Sequence, residues 1–374
     1  MTTGVVTTSF PRWPGDFAGC FVEDDVGTLS AGRACVEVVA AGQWPIRADL
    51  GTNGGRPDLE PQTRVFRVPV PTVPGRAGLF YEVGAPEVLE RGGVTAWAQS
   101  FFFWAGLCRL IRARAQAAPW TRISAHWLVP CALAARAAAP HLPVTAYAHS
   151  GDVALLERFP GGDALARRLS HELDEVIFVS DDLRHRFGRL AGRLIGRVAE
   201  HPCPSAQPPP IDPIQRQIAR ANLGLTRRAI LSVGRLVPIK GFDVLVRAAA
   251  LAEAAPGHGR LTVIILGDGP ERSRLQDAAR RLNVDLRLPG FVPRGDVGRW
   301  MAAADVYVQP SLRLPSGRTE GLPTATLEAL AAGLRVVASH TGGLGELRGV
   351  DAVAPGNAAA LAKKLGPMRA VTTA

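Results

Sequence analysis

Short hydrophobic runs alternate with helix-like runs along the whole chain, and this alternation predicts an α/β fold. In the first half the predicted strands cover residues 5–9, 34–41, 63–70, 122–126, 143–148, 175–180 and 194–199. In the second half they cover residues 229–233, 261–266, 286–288, 305–309 and 335–339. Strands that alternate with helices are typical of a parallel sheet with helices on its faces.

A proline-rich segment separates the two halves. Residues 201–213 read HPCPSAQPPPIDP and contain 6 prolines in 13 residues, which is incompatible with a helix or a central strand. The chain has 374 residues, a length at which one hydrophobic core usually splits into two. We therefore predict an N-terminal domain over residues 1–200, a linker over 201–213 and a C-terminal domain over 214–374.

Two glutamates in the second half, Glu320 and Glu328, frame a predicted helix start. Pro323 suits the first turn of a helix, and Gly333 suits its end. If the helix begins near Leu322, the backbone N–H groups of its first turn are free to bind an anion. Two carboxylates beside an anion site suit a ligand that carries both a phosphate and several hydroxyl groups.

Two other loops follow predicted strands of the same half. Gly234, Arg235 and Lys240 follow one strand, and Gly267 begins the turn after the next. Because ligands of open α/β sheets bind outside the carboxyl ends of the strands, these loops are predicted to share one site with Glu320. Taken singly, each of these charged residues is more often a solvated surface charge or a turn residue.

The residue types in these loops also indicate which chemistry to expect. Fixed cations such as Arg235 and Lys240 would neutralise the charge of a departing phosphate. The chain has no Asp-x-Asp pair, so we expect neither a metal nor a cofactor. The turn at residues 267–269 lacks the third glycine of a dinucleotide fingerprint, so a nicotinamide site is not expected.

Composition adds a basic charge to this picture. The net charge of +10 favours anionic partners, although arginine usage in an Ala- and Arg-rich proteome would also produce it. The basic residues are dispersed and no nucleic-acid-binding motif is present, so a nucleic-acid partner is not expected. The 5 cysteines lack CxxC spacing, which argues for a reducing compartment. Because the sequence shows neither a signal peptide nor a bilayer-spanning run, we expect a cytoplasmic protein.

Residues 96–117, AWAQSFFFWAGLCRLIRARAQA, are a predicted helix of unusual composition. Its first half is aromatic and its second half is rich in arginine. Such a helix is able to lie in a membrane interface, which would make the protein peripheral at the inner face of the cell membrane. A half-buried helix with a solvated basic end explains the same pattern, and it is the interpretation that the sequence favours.

Four segments of the second half resemble glycosyltransferase family 4. They read ILSVGRLVPIKGFDVLVRAAALA, VIILGDGPERSRLQ, LPGFVPRGDVGRWMAAADVYVQPS and EGLPTATLEALAAGLRVVASHTGGLGEL, and the Glu-x7-Glu pair is their strongest element. In the first half, TTSFPRWPGDFAGCFV, AHWLVP, AYAHSGDV and EVIFVSDDL resemble the family more loosely. The resemblance implies a GT-B fold, with two Rossmann-like domains facing across a cleft. It also implies a retaining, metal-independent transfer of a hexosyl group from a nucleoside-diphosphate sugar.

The resemblance further implies roles for individual residues. As catalytic residues, Arg235 and Lys240 would bind the diphosphate, Glu320 would hold the transferred sugar, and His149 would lie over that sugar. Glu328 would bind the ribose of the nucleotide. The full set implied around the donor comprises Gly19, Gly234, Arg235, Lys240, Gly267, Phe291, Val292, Glu320, Gly321, Leu322, Pro323, Thr324 and Glu328.

Two questions stay open at the level of the sequence. The acceptor is expected to be a saccharide or a lipid-linked glycan, of the cell-envelope or exopolysaccharide type. Members of the family usually continue with helices that cross back onto the first domain, whereas this sequence stops at Ala374. The alternative is therefore a truncated, non-catalytic protein that binds a sugar nucleotide.

Overall fold

The structure, a computed structural model, describes residues 1–16, 18–32, 34–43, 58–70, 79–80, 88–89, 93–199, 211–256 and 259–366. The chain divides into two compact units, Met1–Ser205 and Ala206–Ala374. This division falls inside the segment predicted as a linker, of which residues 201–210 lie outside the described residues. Within the described ranges, no helix is both long and apolar enough to cross a bilayer.

The described part of the first unit contains a parallel sheet in the order β3-β2-β1-β4-β5-β6-β7. Its strands are β1 (Thr2–Val6), β2 (Cys35–Gln43), β3 (Thr63–Val70), β4 (Trp120–His126), β5 (Val144–Ala148), β6 (Glu175–Phe178) and β7 (Arg197–Val198). Strand β1 pairs with β2 on one side and with β4 on the other. The order of the strands therefore reverses between β1 and β4.

Helices cover both faces of this first sheet. They are α1 (Cys20–Ala31), α2 (Val94–Ala117), α3 (Leu133–Ala138), α4 (Gly151–Arg158), α5 (Gly162–Glu172) and α6 (Asp181–Ala191). Alternate residues of a strand point to opposite faces. Val36 and Val38 of β2 accordingly pack in the hydrophobic cluster formed with the buried side chains of α1. Val39 packs in the hydrophobic cluster on the other face, which includes the buried side chains of α2. A strand buried on both faces reads as a nearly continuous apolar run, and residues 35–42 of β2 show this pattern except at Glu37, which explains why the sequence revealed it.

The second unit repeats this design. Its parallel sheet has the order β10-β9-β8-β11-β12-β13. The strands are β8 (Arg228–Val233), β9 (Leu261–Leu266), β10 (Asp285–Gly290), β11 (Val306–Gln309), β12 (Val336–Ser339) and β13 (Val350–Val353). Numbered from β8, this is the 3-2-1-4-5-6 order of doubly wound nucleotide-binding folds, and its order reverses between β8 and β11.

Helices also cover both faces of the second sheet. They are α7 (Pro213–Asn222), α8 (Phe242–Ala254), α9 (Arg272–Leu282), α10 (Arg294–Ala303), α11 (Thr324–Ala331) and α12 (Ala358–Lys364). Val263 and Ile265 of β9 pack in the cluster with α8, α9 and α12, whereas Ile264 and Leu266 pack in the cluster with α10 and α11. Each unit thus has its own hydrophobic core around its own sheet.

The structure corrects several boundaries that the sequence predicted. Strand β1 begins at Thr2 rather than at residue 5, and α11 begins at Thr324 rather than near Leu322. Helix α7 was not predicted, because its first residue, Pro213, was counted as part of the linker. Proline suits the first turn of a helix, and Asp212 caps this one by accepting from the Ile214 N–H.

Candidate functional site

The site lies where the strand order of the second sheet reverses. The segments that follow β8 and β11 carry Lys240 and Glu320, and the ammonium Nζ lies 2.6 Å from the carboxylate Oε1. The two side chains are only 15% and 13% exposed. The sequence predicted both residues for one site, and the fold places them in direct contact. A cation and an anion are therefore already paired at the position where doubly wound sheets bind ligands.

Glycines bring these two segments close enough for that contact. The short 3₁₀ turn Pro238–Lys240 ends at Gly241, which has a left-handed φ of 63°. A Cβ at Gly241 would lie 2.1 Å from the carbonyl oxygen of Pro310, and one at Gly234 would lie 2.9 Å from Cε of Lys240. Side chains at these two positions would push Lys240 and the segment after β11 out of place.

A chain of hydrogen bonds anchors Glu320 to β11. Ser311 Oγ donates to Glu320 Oε2, and Gln309 Nε2 donates to the same oxygen at 3.2 Å and to Ser311 Oγ at 2.9 Å. The Tyr307 hydroxyl donates to Gln309 Oε1 at 2.9 Å. Burial, and then the nearby charges of Glu320 and Glu328, raise the pKa of the Tyr307 hydroxyl, which keeps it a donor.

Sequence reasoning missed Tyr307, Gln309 and Ser311. They occupy alternate positions along one strand and its extension, so they share a face. The sequence contains one indication of this face, because Gln309 is a polar residue at the end of the apolar run VYV. Its amide is fully buried in the structure. A buried polar side chain inside a strand needs partners, and here those partners lead to Glu320.

The loop after β12 holds the backbone around Glu320. A Cβ at Gly342, whose φ is 53°, would lie 2.1 Å from the carbonyl oxygen of Glu320, and the Gly343 N–H donates to the carbonyl oxygen of Gly321 at 2.9 Å. Helix α11 begins at Thr324, shortly after Glu320 in the chain. Pro323 occupies its N-cap position, and no side chain caps the helix. The predicted donor residues 321–324 therefore do form the approach to a helix N-terminus, where an anion is favoured.

Glu328 lies in the second turn of α11 and is 13% exposed. The guanidinium Nη2 of Arg294, at the start of α10, lies 3.5 Å from its Oε1. Phe291 follows β10 and is 48% exposed, whereas Val292 is partly buried against the core. An exposed aromatic ring and a partly buried carboxylate thus occupy the two positions predicted to bind the base and the ribose.

Gly267 holds two loops of the site together. Its φ is 133°, and a Cβ there would lie 2.1 Å from the carbonyl oxygen of Gly234. The loops are further joined by the Leu236 N–H, which donates to the carbonyl oxygen of Asp268 at 2.9 Å. Gly267 is therefore explained by loop packing, and its contact with a donor stays a prediction.

Two predicted site residues, Gly19 and His149, lie in the first unit. Gly19, with a φ of 77°, occupies the N-cap position of α1, and a Cβ there would lie 2.2 Å from the carbonyl oxygen of Ser9. His149 follows β5 directly, and its ring lies 4.8 Å from the rings of both Phe21 and Trp127 between centroids. Burial, and then the neighbouring His126, lower the pKa of the His149 imidazole well below its usual value.

Asp152 fixes the backbone at His149, a role that was not predicted from the sequence. Its carboxylate is 2% exposed and accepts from the N–H groups of Leu128 at 2.9 Å and His149 at 3.2 Å. Burial raises the pKa of Asp152 to about 6, although these hydrogen bonds oppose the shift. One buried carboxyl group therefore ties the loops after β4 and β5 to each other.

Among the residues that the structure describes, no group of three or more His, Cys, Asp or Glu side chains is arranged to hold a metal ion.

Known proteins resemble this chain in sequence. Residues 227–368 match the family described as "Glycosyl transferases group 1". The amylovoran biosynthesis glycosyltransferase AmsK of Erwinia amylovora is 37% identical over 118 residues, which is 32% of this chain and 29% of AmsK. The GDP-mannose-dependent alpha-(1-6)-phosphatidylinositol monomannoside mannosyltransferase of Mycolicibacterium smegmatis is 32% identical over 220 residues, 57% of this chain and 56% of that protein. The chain thus spans between 29% and 56% of the length of these relatives.

Solved structures extend the likeness to the whole fold. HepE of Anabaena, in complex with UDP, superimposes with a TM-score of 0.64 at 20% identity, covering 98% of this chain and 89% of HepE. The α/β class with two Rossmann-like, parallel-sheet units, as in the GT-B fold, is thereby confirmed. Residues 227–368 therefore carry the sequence pattern of the glycosyl transferases group 1, within a chain that has the two-unit α/β fold of its solved neighbours.

Proposed function

We propose that this protein is a retaining glycosyltransferase that moves a hexosyl group from a nucleoside-diphosphate sugar to a saccharide or lipid-linked glycan. The observation that carries the proposal is the Lys240–Glu320 pair, 2.6 Å apart, at the point of the second sheet where the strand order reverses. The pair lies within the 227–368 segment that matches the glycosyl transferases group 1. Relatives named for amylovoran and phosphatidylinositol mannoside synthesis support an acceptor of the exopolysaccharide or cell-envelope type.

The donor phosphates are proposed to bind between the turn after β8 and the start of α11. Lys240 pairs with Glu320, and Arg235 lies in the same loop after β8. Together with the N–H groups at the start of α11, these cations would stabilise the charge that develops on the leaving diphosphate. Because that charge is met by protein groups, the transfer is proposed to need neither a metal nor a cofactor.

The sugar and the nucleoside are proposed to bind on either side of those phosphates. Glu320 accepts hydrogen bonds and is held by Ser311 and Gln309, so it is preorganised to accept from sugar hydroxyls. Glu328, in the second turn of α11, would accept from the ribose hydroxyls, with Phe291 beside the base. His149 of the first unit is proposed to contact the transferred sugar.

Binding of donor nucleotides to the full chain tests this assignment. A calorimetric panel of UDP-, GDP- and ADP-sugars should reveal one that binds, and the Lys240→Ala and Glu328→Ala variants should bind it about 10- to 100-fold more weakly, because each loses a charged hydrogen bond. Lys364→Ala and Glu172→Ala are matched controls, since each removes one partner of a surface ion pair, Lys364–Asp351 or Arg168–Glu172, in which no proposed site residue takes part. Unchanged affinity in both site variants would refute the site, and donor binding without transfer to any acceptor would favour a non-catalytic protein.

We also propose that α2 touches a membrane surface, as a peripheral contact of a cytoplasmic protein. One face of α2 is buried through Ala96, Phe103, Leu107 and Ile111. The opposite face exposes Val94, Trp97, Phe101 and Phe102 in its first half, and Arg109 and Arg112 in its second. The helix is therefore half-buried, and three of its aromatic side chains, Trp97, Phe101 and Phe102, are exposed on the other face.

The exposed face of α2 is suited to binding an anionic lipid surface. Phe101 and Phe102 are each 62% exposed, so their burial in the acyl boundary would remove apolar surface from water. The arginines on the same face would meet the anionic headgroups.

A further inference from the structure

His149 is linked through a second histidine, His126, to the carboxylate of Asp25. His126 Nδ1 lies 3.3 Å from His149 Nε2, and His126 Nε2 lies 3.1 Å from Asp25 Oδ2. The two imidazole planes are within 13° of parallel, and their facing nitrogens make the contact. The three side chains form a continuous chain of hydrogen bonds that runs from α1 through the end of β4 to the residue after β5.

The topology of the first sheet creates this chain. Strands β4 and β5 are neighbours, and His126 is paired in register with Tyr147, two residues before His149. Gly19 is the N-cap residue of α1, and its lack of a Cβ lets it lie against the backbone of Ser9. The position of this N-cap determines the position of Asp25, which lies in the second turn of α1.

His126 has little freedom to move. Its side chain is 2% exposed, and its ring stacks on Tyr147 with centroids 4.6 Å apart and planes 7° from parallel. Burial, followed by the nearby charge of Asp25, raises the pKa of Tyr147 to about 12, so Tyr147 remains a neutral ring below His126. A ring held in this way presents both of its nitrogens in fixed directions.

These contacts decide which nitrogen of each ring carries a proton. At pH 8 an imidazole is neutral and has one N–H donor, whereas an aspartate is ionised and only accepts. His126 must then donate from Nε2 to Asp25, which leaves its Nδ1 as an acceptor. His149 must in turn donate from Nε2 to His126, which leaves the Nδ1 of His149 as an acceptor. The carboxylate therefore sets the tautomer of a histidine that it does not touch.

We propose that Asp25 and His126 are positioning residues that hold His149 as a neutral imidazole with its proton on Nε2 and an accepting Nδ1. This inference rests on the proposed function for its catalytic meaning. An accepting nitrogen suits a sugar hydroxyl, and a neutral ring does not repel the positive charge that develops on a sugar as its glycosidic bond breaks. Phe21 and Trp127, packed on the His149 ring, keep the ring in that orientation.

Nitrogen NMR of the full chain, labelled at histidine and measured at pH 8, tests the proposal directly. The His149 signals, assigned by their loss in His149→Asn, should show a protonated Nε2 and an unprotonated Nδ1. Asp25→Ala should move them toward a mixture of tautomers, and His126→Phe should do the same while keeping a flat ring on Tyr147. Asp24→Ala, the adjacent carboxylate on α1, is the matched control and should leave the His149 signals unchanged.

Kinetics separates this proposal from the proposed function. Asp25→Ala should lower kcat about tenfold or more with little change in donor KM, whereas Asp24→Ala should change neither. A proton on Nδ1 of His149, unchanged His149 signals in Asp25→Ala, or a wild-type kcat in that variant would each overturn the proposal. If the wild-type protein transfers no sugar, the proposed function fails, but the tautomer of His149 still decides whether Asp25 and His126 set it.

Discussion

Lys240 and Glu320 neutralise each other in a place where both are largely shielded from water. Coulombic attraction is stronger there than at the surface, and each charge depends on the other. Glu320 has further support from Ser311 and Gln309, so it stays in position whether or not Lys240 turns toward a phosphate. The pair is thus suited to a site that must exchange one partner for a ligand.

Lys240→Met should reveal how much the pair stabilises the folded chain. We expect a loss of about 1–3 kcal/mol in the free energy of unfolding, because a partly buried carboxylate loses its counter-charge. Arg247→Met is the control, since Arg247 pairs with Asp243 while 52% exposed, and it should change stability by less than about 0.5 kcal/mol. Urea denaturation measures both, and equal effects would contradict the view that Lys240–Glu320 is the stronger pair.

At the scale of elements, the loops are held by close contacts between backbones. The turns after β8, β9 and β12 each contain a glycine at which a Cβ would overlap a neighbouring carbonyl oxygen, namely Gly241, Gly267 and Gly342. Sequence analysis identified Gly267 as a candidate for ligand binding, but its position against Gly234 gives it a structural reason to be glycine.

Gly267→Ala should therefore destabilise the protein even without any ligand. We expect a loss of more than about 2 kcal/mol, because a left-handed backbone alone costs about 1–2 kcal/mol and the overlap with Gly234 adds to it. Gly298→Ala in α10 is the matched control. A Cβ at Gly298 meets open space, so alanine there should stabilise the helix by about 0.5–1 kcal/mol. Similar denaturation midpoints for both variants would contradict this explanation.

Helix α2 gives a second prediction at this scale. The Phe101→Ser/Phe102→Ser double variant should bind vesicles of phosphatidylcholine and phosphatidylserine at least about tenfold more weakly, a change of about 1.4 kcal/mol. Wild-type binding should also fall with added salt or without phosphatidylserine. Ile214→Ser/Ile218→Ser in α7 removes two other exposed apolar side chains and should have no effect. Wild-type protein that does not co-sediment at low salt would refute the membrane contact.

At the scale of the whole molecule, the two units have separate cores and separate sheets. All predicted site residues except Gly19 and His149 lie in the second unit. The second unit therefore contains nearly everything proposed for nucleotide binding, whereas the proposed transfer needs His149 from the first.

The unit Ala206–Ala374, produced alone, should fold cooperatively and bind the donor nucleotide with an affinity close to that of the full chain. It should transfer no sugar. The unit Met1–Ser205 is the control and should not bind the nucleotide. Circular dichroism and calorimetry measure folding and binding, and a second unit that folds but does not bind would show that the nucleotide needs both.

Local rules were enough to predict much of this chain. Buried parallel strands such as β9 are continuous apolar runs, and Ser180 marks a helix start because its side chain caps it, so both could be read directly from the sequence. Helix α4 was missed, since its turn HSGD reads as a loop until Asp152 is seen to accept backbone N–H groups. Helix α11 was predicted from Pro323 at its start and Gly333 after its end, whereas the binding roles of Glu320 and Glu328 stay a prediction.

The contacts between segments distant in sequence could not be predicted without the tertiary structure. The salt bridge from Lys240 to Glu320, the hydrogen-bond chain from Tyr307 to Glu320 and the link from Asp25 through His126 to His149 join residues on different elements or along a strand face. Hydrophobic periodicity specifies which side of an element is buried, but not which polar group it will meet there. That choice follows from strand order, which places the ends of β8 and β11, and of β4 and β5, side by side.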